Sequence, residues 1–214
     1  MPIITAIGFD ADDTLWESEI HYVSAKDEFA RLLSAYAPFD QVKADLDVIE
    51  THNVQLYGYG FKSFTLSMIE TALQVSGGSV PAGLIEKVLA MAKRALQSEI
   101  RLREGAEKVL QELREQSPQY SLFMITKGEL FEQQQKIQKS GLKRYFHYLE
   151  VVSDKTPEAY LKPVVSIQGW AVLVPHPLTW SHETNPGKDV PDGRWFELPR
   201  LSDLPDFLKR FNAL

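Results

Sequence analysis

A short apolar run that ends in closely spaced carboxylates is the feature that most limits how this chain can fold. Residues Ile3 to Ile7 read as a buried strand, and the sequence Asp10-Ala11-Asp12 follows directly after it. Open α/β sheets bind ligands beyond the carboxyl ends of their strands, so this is a position where chemistry is commonly done. Strand alternation predicts that both carboxylates point to the same side, with Ala11 small enough to let a ligand approach the backbone.

Two carboxylates at this spacing can take different chemical roles. Neighbouring acids repel each other, which tends to leave one ionised and the other easier to protonate. That division suits nucleophilic attack by one carboxylate and proton transfer by the other. The alternative interpretation is a strand that ends in a solvated acidic turn, which is the more common meaning of an isolated D-x-D.

Polar residues also lie at the ends of two further predicted strands, and their order along the chain is informative. A predicted strand over 120–125 ends at Thr126-Lys127-Gly128, and a second over 149–152 is followed by Lys155. Together with the D-x-D-x-T-L segment that begins at Asp10, these resemble the first three motifs of the haloacid dehalogenase-like (HAD) hydrolase superfamily. The resemblance covers essentially the whole chain and is closest to members with an α-helical cap inserted after the first motif.

The resemblance implies an α/β fold with a Rossmann-like parallel sheet. The core is expected from residues 1–16 and 100–214, with a helical cap over 17–99. Four apolar stripes at helical spacing within 17–99 predict a small bundle of four helices. After Glu104-Gly105 the pattern changes to alternating helices and strands, with a strand at 171–174 and a last helix built on Leu204 and Phe207.

Composition excludes several classes of function. The 214 residues carry a formal charge of −6, so no overall basic field favours nucleic acid or an anionic membrane. No apolar run is long enough to span a bilayer, and the first residues lack a secretory signal. The absence of cysteine excludes disulfides, thiolate metal sites and a cysteine nucleophile. These features favour a cytoplasmic protein, and the resemblance implies a small phosphorylated molecule as its substrate. The sequence carries no signal for an oligomeric state.

The resemblance also implies a role for each motif residue. Asp10 would be the nucleophile that forms an aspartyl phosphate, and Asp12 would protonate the leaving alcohol and then activate water. Thr126 would bind a phosphoryl oxygen with help from Lys127, and Lys155 would pair with the phosphoryl group and with Asp10. A Mg²⁺ ion would be held by the Asp10 carboxylate and by the backbone carbonyl of Asp12.

The sequence departs from the family at the fourth motif, an acidic strand end that completes the metal site. No Asp or Glu occurs from Ala159 to His182, where that acid is expected. Only eight residues separate Lys155 from the apolar run at Val164, too few for a helical crossover between parallel strands. We expect that one core strand and helix are missing, so that either the strand at 171–174 joins the first strand or residues 164–167 fill the gap.

Other polar residues carry weaker hypotheses. Asn53 interrupts an apolar stripe of the cap, with His52 beside it and His21 near the first cap helix, and it could bind substrate or be a buried polar residue with local partners. Asp154 is nearest the gap and reads as a turn residue. His176 and His182 are disfavoured as zinc ligands because the sequence shows no nearby carboxylate, and Asp13 is expected to face solvent.

Three functions remain open on the sequence alone. The first is a Mg²⁺-dependent phosphatase that uses Asp10, Asp12, Thr126 and Lys155. The second is an inactive fold that binds phosphate or a partner through the same cleft, because of the missing motif. The third, 2-haloacid dehalogenation, is disfavoured since the dehalogenase branch generally lacks the acid found here at Asp12.

Overall fold

The chain folds into two compact units, each built around its own apolar core. A computed structural model describes residues 4–115, 117, 119–152, 169–178 and 193–213. One unit combines Met1–Glu19 with Ile100–Leu214, and the other is Ile20–Glu99. We call them the core unit and the inserted unit. That the inserted unit acts as a cap over the site stays a prediction.

The centre of the core unit is a parallel sheet of three strands in the order β1-β2-β3. The strands are β1 (Ala6–Phe9), β2 (Ser121–Lys127) and β3 (Tyr148–Val152). Every second residue of β2 is buried, which fits a strand that lies between two neighbours. The strand is longer than the sequence predicted, because Thr126 and Lys127 belong to it and pair with Val151 and Val152.

Helices cover this sheet with a continuous apolar cluster. They are α5 (Ala106–Glu115), α6 (Leu130–Ser140) and, near the end of the chain, α7 (Leu204–Asn212). Leu110 and Leu113 of α5 pack in one buried cluster with Leu122 and Met124 of β2. The helix α6 ends at Gly141, whose left-handed φ of 69° is the conformation expected at a helix end.

The inserted unit consists of helices with a second, separate apolar cluster. Its helices are α1 (Glu19–Leu32), α2 (Phe39–Tyr57), α3 (Phe61–Val75) and α4 (Ala82–Gln97). Phe29, Leu46 and Met68 are buried together from three of these helices. Each helix follows one of the stripes read from the sequence.

The C-terminal part of the core unit differs from the sequence expectation. The strand β4 (Ala171–Leu173) pairs in parallel with β5 (Trp195–Glu197), which the sequence did not predict. Among the described residues β4 therefore does not join β1, which corrects the first of the two arrangements expected for the missing strand. The second arrangement, with residues 164–167 in the gap, lies outside the described residues.

The chain leaves and re-enters the core unit through a short antiparallel ribbon. Trp16 and Leu102 form an antiparallel bridge. On either side of it, the Glu17 N–H donates to the Arg101 carbonyl at 2.9 Å and the Arg103 N–H donates to the Leu15 carbonyl at 2.9 Å. The two junctions of the inserted unit are therefore held side by side.

Within the part of the chain that the structure describes, no helix combines the length and apolar character needed to cross a membrane.

Candidate functional site

The loop after β1 turns more sharply than the sequence predicted. The strand ends at Phe9, and the carbonyl of Ala11 accepts hydrogen bonds from the backbone N–H groups of Thr14 and Leu15. Strand alternation therefore does not govern Asp10 and Asp12, which is a correction. Ala11 is fully buried in the core cluster, so its small side chain serves packing. Asp10 is half-buried, and its Oδ1 accepts the Ala11 N–H at 2.7 Å.

The Asp12 carboxylate is the most heavily bonded group of this loop. Its Oδ1 accepts the Trp16 indole N–H at 2.6 Å, and its Oδ2 accepts the Gln133 amide at 2.7 Å. The Lys136 ammonium lies 3.1 Å from Oδ1 and 3.2 Å from Oδ2. Both oxygens are thus fixed by donors from α6 and from the loop itself.

These donors set the protonation state of Asp12. Burial raises the pKa of this carboxyl, but the Lys136 charge and the hydrogen bonds from Gln133 and Trp16 outweigh burial and leave the pKa below its usual value. The sequence suggested that one of the two neighbouring acids would be easy to protonate. For Asp12 the direction is the opposite, because its neighbours are donors and a cation.

The helix α6 supplies a polar buried face that sequence reasoning missed. Glu132 and Gln133 are buried, and Lys136 bridges Asp12, the Ser18 hydroxyl at 3.2 Å and Glu132 at 3.4 Å. Burial lowers the pKa of the Lys136 ammonium, but Asp12 and Glu132 raise it above its usual value. A signal was present in the sequence: Ile137 is the one apolar residue between Phe131 and Leu142, so a helix that packs on the sheet must bury polar side chains there.

Gly128 permits Gln133 to take part in this network. Gln133 also donates to the Lys127 carbonyl at 2.6 Å, directly beside Gly128. A Cβ at residue 128 would lie 2.7 Å from the Gln133 Nε2, and the backbone φ of 143° is one that side-chain-bearing residues rarely adopt. Glycine is therefore required here by both contact and conformation.

Thr126 lies fully buried near the C-terminal end of β2, and its hydroxyl has no hydrogen-bond partner among the described residues. The alternative role, capping the next helix, is excluded because Glu129 caps α6 by accepting the N–H groups of Phe131 and Glu132. A buried hydroxyl without a partner is costly, so it marks a place where a ligand could supply one.

Of the two motif lysines, only Lys127 lies among the residues that the structure describes. Lys127 is half-buried at the end of β2, where its backbone pairs with Val152. Lys155 and Asp154 lie outside the described residues, so their predicted roles stay predictions.

Two sequence expectations about the loop are wrong. Asp13 does not face solvent: it adopts a left-handed φ of 56°, and its carboxylate accepts the N–H groups of Ser18 and Glu19 at the start of α1. Burial raises the pKa of Asp13, although these hydrogen bonds oppose it. His176 has carboxylates nearby after all, since its Nε2 lies 2.8 Å from Glu17 and 3.6 Å from Asp13.

The polar residues of the inserted unit have local surroundings. The Asn53 amide, only 2% exposed, donates to the Ser67 hydroxyl at 3.2 Å and to Glu70 at 2.8 Å. These bonds give Asn53 the buried, locally paired setting that was the alternative to substrate binding, and its substrate role stays a prediction. His52 is exposed and His21 is half-buried, while His182 lies outside the described residues.

Comparison with known proteins agrees with this arrangement of an aspartate loop and buried threonine on a parallel sheet. A family model described as haloacid dehalogenase-like hydrolase matches residues 4–165, about three quarters of the chain. The chain belongs to the haloacid dehalogenase-like hydrolases. The matched HAD segment includes Asp10, Asp12 and Thr126. A search of curated proteins found no match.

Solved HAD structures support the assignment over the whole length. A haloacid dehalogenase-like family hydrolase from Xanthomonas campestris is 32% identical, with 98% of this chain and 92% of that chain covered and a TM-score of 0.81. Two others share the fold at 14% identity and a TM-score of 0.56, each with 97% of this chain and 99% of the other covered. They are a predicted phosphoglycolate phosphatase from Haemophilus somnus and L-2-haloacid dehalogenase from Xanthobacter autotrophicus with chloropropionic acid covalently bound.

Proposed function

We propose that this HAD-like hydrolase cleaves phosphate esters of a small metabolite through an aspartyl phosphate on Asp10. The observation that carries the proposal is the second acid, Asp12, held by three donors two residues after the candidate nucleophile. By family resemblance, an acid at this position goes with phosphoester hydrolysis and is generally lacking in the dehalogenase branch, and here it can serve as the base for the water that attacks the intermediate. The buried, unpartnered Thr126 hydroxyl supports a phosphoryl oxygen as ligand.

The proposed reaction proceeds in two displacements. An oxygen of the Asp10 carboxylate attacks phosphorus, and the bond from phosphorus to the leaving oxygen breaks with its electron pair on that oxygen. Water then attacks the phosphorus of the aspartyl phosphate and gives its proton to the Asp12 carboxylate. The bond from phosphorus to the Asp10 oxygen breaks, which releases phosphate and restores Asp10. Asp12 then gives its proton to solvent, from which the leaving oxygen takes one up, so both carboxylates return to the ionised form.

Some of the oxygen atoms of the loop after β1 are suitable ligands for a Mg²⁺ ion, and others are not. The Asp12 carboxylate is occupied by Trp16, Gln133 and Lys136, so it does not fit as a ligand, but the Asp12 backbone carbonyl accepts no hydrogen bond from the described residues. That carbonyl and the Asp10 carboxylate would hold the ion, with water in its other positions. When bound, Mg²⁺ would neutralise charge on the phosphoryl group.

The lowered pKa of Asp12 bears on the choice of substrate. A carboxylate with a lowered pKa is ionised and available as a base, although a weak one, and it seldom carries a proton that it could give to a leaving alcohol. We therefore expect substrates whose leaving oxygen needs little protonation, such as aryl phosphates, to react faster than alkyl phosphates.

The test is hydrolysis of an aryl phosphate by the purified 214-residue chain. We expect turnover that rises with Mg²⁺, exceeds that of a matched alkyl phosphate, and is lost in Asp10→Asn. Halide release from a 2-haloacid, with no phosphate release, would contradict the proposal. Absence of both activities in a folded sample would favour the binding function instead.

A further inference from the structure

A second cluster in the core unit adjoins the Asp12 network through Ser18, whose N–H bonds to Asp13 and whose hydroxyl bonds to Lys136. Asp13, Glu17 and His176 each offer one ligand atom, and these atoms lie within 4.8 Å of one another. The His176 side chain is 7% exposed, while those of Asp13 and Glu17 are 23% and 25% exposed. The cluster joins the loop after β1 to the segment that follows β4.

The cluster carries more negative than positive charge. Among the described residues, no lysine or arginine lies within ion-pair distance of the Asp13 or Glu17 carboxylates. Arg103 is close, but it donates to the backbone carbonyls of Asp13 and Pro175. The guanidinium thus fixes the two segments together without pairing with either carboxylate, and His176 is the one side chain described that faces both.

The second nitrogen of His176 fixes which atom faces the carboxylates. Its Nδ1 lies 2.6 Å from the Leu178 carbonyl and 3.2 Å from the Leu178 backbone N–H, so Leu178 holds this side of the ring. Nε2 faces the Glu17 carboxylate oxygen at 2.8 Å. A proton or a metal ion can join Nε2 to these carboxylates, and a histidine that binds a metal is commonly held by a backbone group through its other ring nitrogen.

We propose that Asp13, Glu17 and His176 form a site for a divalent transition-metal ion of the zinc class, distinct from any Mg²⁺ ion at Asp10. One imidazole and two carboxylates match the ligands that zinc takes, whereas Mg²⁺ prefers oxygen alone. Ligand atoms of a tetrahedral zinc site lie roughly 3.4 Å apart. The separations of 2.8 Å and 3.6 Å from Nε2 bracket that value. Water completes the shell.

Bound metal would tie the aspartate loop to residues 175–178. The prediction is independent of hydrolysis, because it concerns binding and stability only. We expect titration calorimetry with Zn²⁺ to show one site that depends on His176, and the thermal midpoint of the chain to rise when Zn²⁺ is added. Addition of Zn²⁺ should also shift the ring-nitrogen NMR signals of one histidine, the one that is lost in His176→Ala.

Matched variants test whether Zn²⁺ binds at this cluster or elsewhere on the protein. His176→Ala and Glu17→Gln should each weaken Zn²⁺ binding at least tenfold, whereas His52→Ala, which removes an exposed histidine, should leave it unchanged. Asp10→Asn should also leave it unchanged, even if that variant ends hydrolysis. Lack of Zn²⁺ binding by the folded wild type, or binding that persists in both His176→Ala and Glu17→Gln, would overturn the proposal.

Discussion

Lys136 controls the charge of Asp12, because it is the largest of the influences that lower the pKa of that carboxyl. Replacement by Met removes the cation and two hydrogen bonds, so the pKa of Asp12 should rise towards the value that burial alone imposes. As the pH is lowered, activity that needs ionised Asp12 should then be lost at a higher pH in the variant than in the wild type. We expect kcat to fall roughly ten- to a hundredfold at pH 6, and a pH profile of kcat to show the acidic limb displaced upward.

Two further variants test whether this effect comes from charge or from damage to the helix. Lys136→Arg keeps the positive charge and should recover part of the activity and the position of the acidic limb. Lys139→Met changes an exposed lysine on the same helix and should leave the profile unchanged. An unaltered pH profile in Lys136→Met would contradict the assigned role.

Gly128→Ala should damage both stability and turnover. The added methyl group meets the Gln133 amide at 2.7 Å, and the φ of 143° is strained for alanine. The free energy of unfolding should fall by about 1–3 kcal/mol, and kcat should fall because Gln133 can no longer hold Asp12. Gly77→Ala is the control: its φ of 62° is also left-handed but its surroundings are empty, so we expect a stability loss with normal kcat.

For individual residues, the sequence predicted which positions along the chain carry site residues better than it predicted which side chains those residues contact. Asp12 and Thr126 could be named from motifs, because each follows or ends a recognisable strand. Lys136 could not, since it is 124 residues from Asp12 along the chain and meets it only when α6 packs beside the loop. The family resemblance implies a proton-donor role for Asp12, which a neighbouring acid would favour, but the structure surrounds this carboxyl with donors and a cation, which keep it ionised.

Among the elements, α2 carries a carboxyl with an unusual pKa. Glu50 is 8% exposed, and burial raises its pKa to about 7 although Lys26 opposes the shift. The folded state thus holds this proton more tightly than the unfolded state, where the pKa is near 4.5. The contribution of Glu50 to the stability of the inserted unit should be fully present below about pH 4.5, and this contribution, up to about 3 kcal/mol, should be lost as the pH rises to 7 and above.

Glu50→Gln should remove this pH dependence. The variant should match the wild type near pH 4.5 and be more stable at pH 8, while Glu86→Gln, at an exposed site on α4, should behave as wild type. Amide hydrogen exchange of α2 and α3 is the suitable measurement, because the sequence has no tryptophan between residues 20 and 99. Equal exchange rates in Glu50→Gln and wild type at pH 8 would show that Glu50 does not titrate as assigned.

The four helices of the inserted unit could be predicted from the sequence, whereas the short strand β5 could not. The stripes of α1 to α4 repeat over 14 to 19 residues, which is enough for a period of 3.6 to be recognised. β5 has three residues between Arg194 and Leu198, so it shows no usable alternation. Its strand conformation depends on pairing with β4, a contact that local pattern cannot reveal.

On the scale of the whole molecule, the two units keep separate apolar clusters. The core unit holds the Asp12 network, the Thr126 hydroxyl and the histidine cluster, and every side-chain partner described above for these groups belongs to that unit. We expect a chain in which residues 20–99 are replaced by a short Gly/Ser linker to fold. Its tryptophan fluorescence should show a cooperative unfolding transition, and a sample without that transition would contradict the expectation.

The ribbon around Trp16 and Leu102 explains why such a replacement is feasible. The outgoing and returning segments are hydrogen-bonded to each other within the core unit. The two ends of the inserted unit are therefore neighbours whatever the structure of the insert itself. An insertion with adjacent ends can be lengthened, shortened or exchanged for another without moving the sheet. The residues of the sheet and those of the inserted segment can therefore change independently of each other.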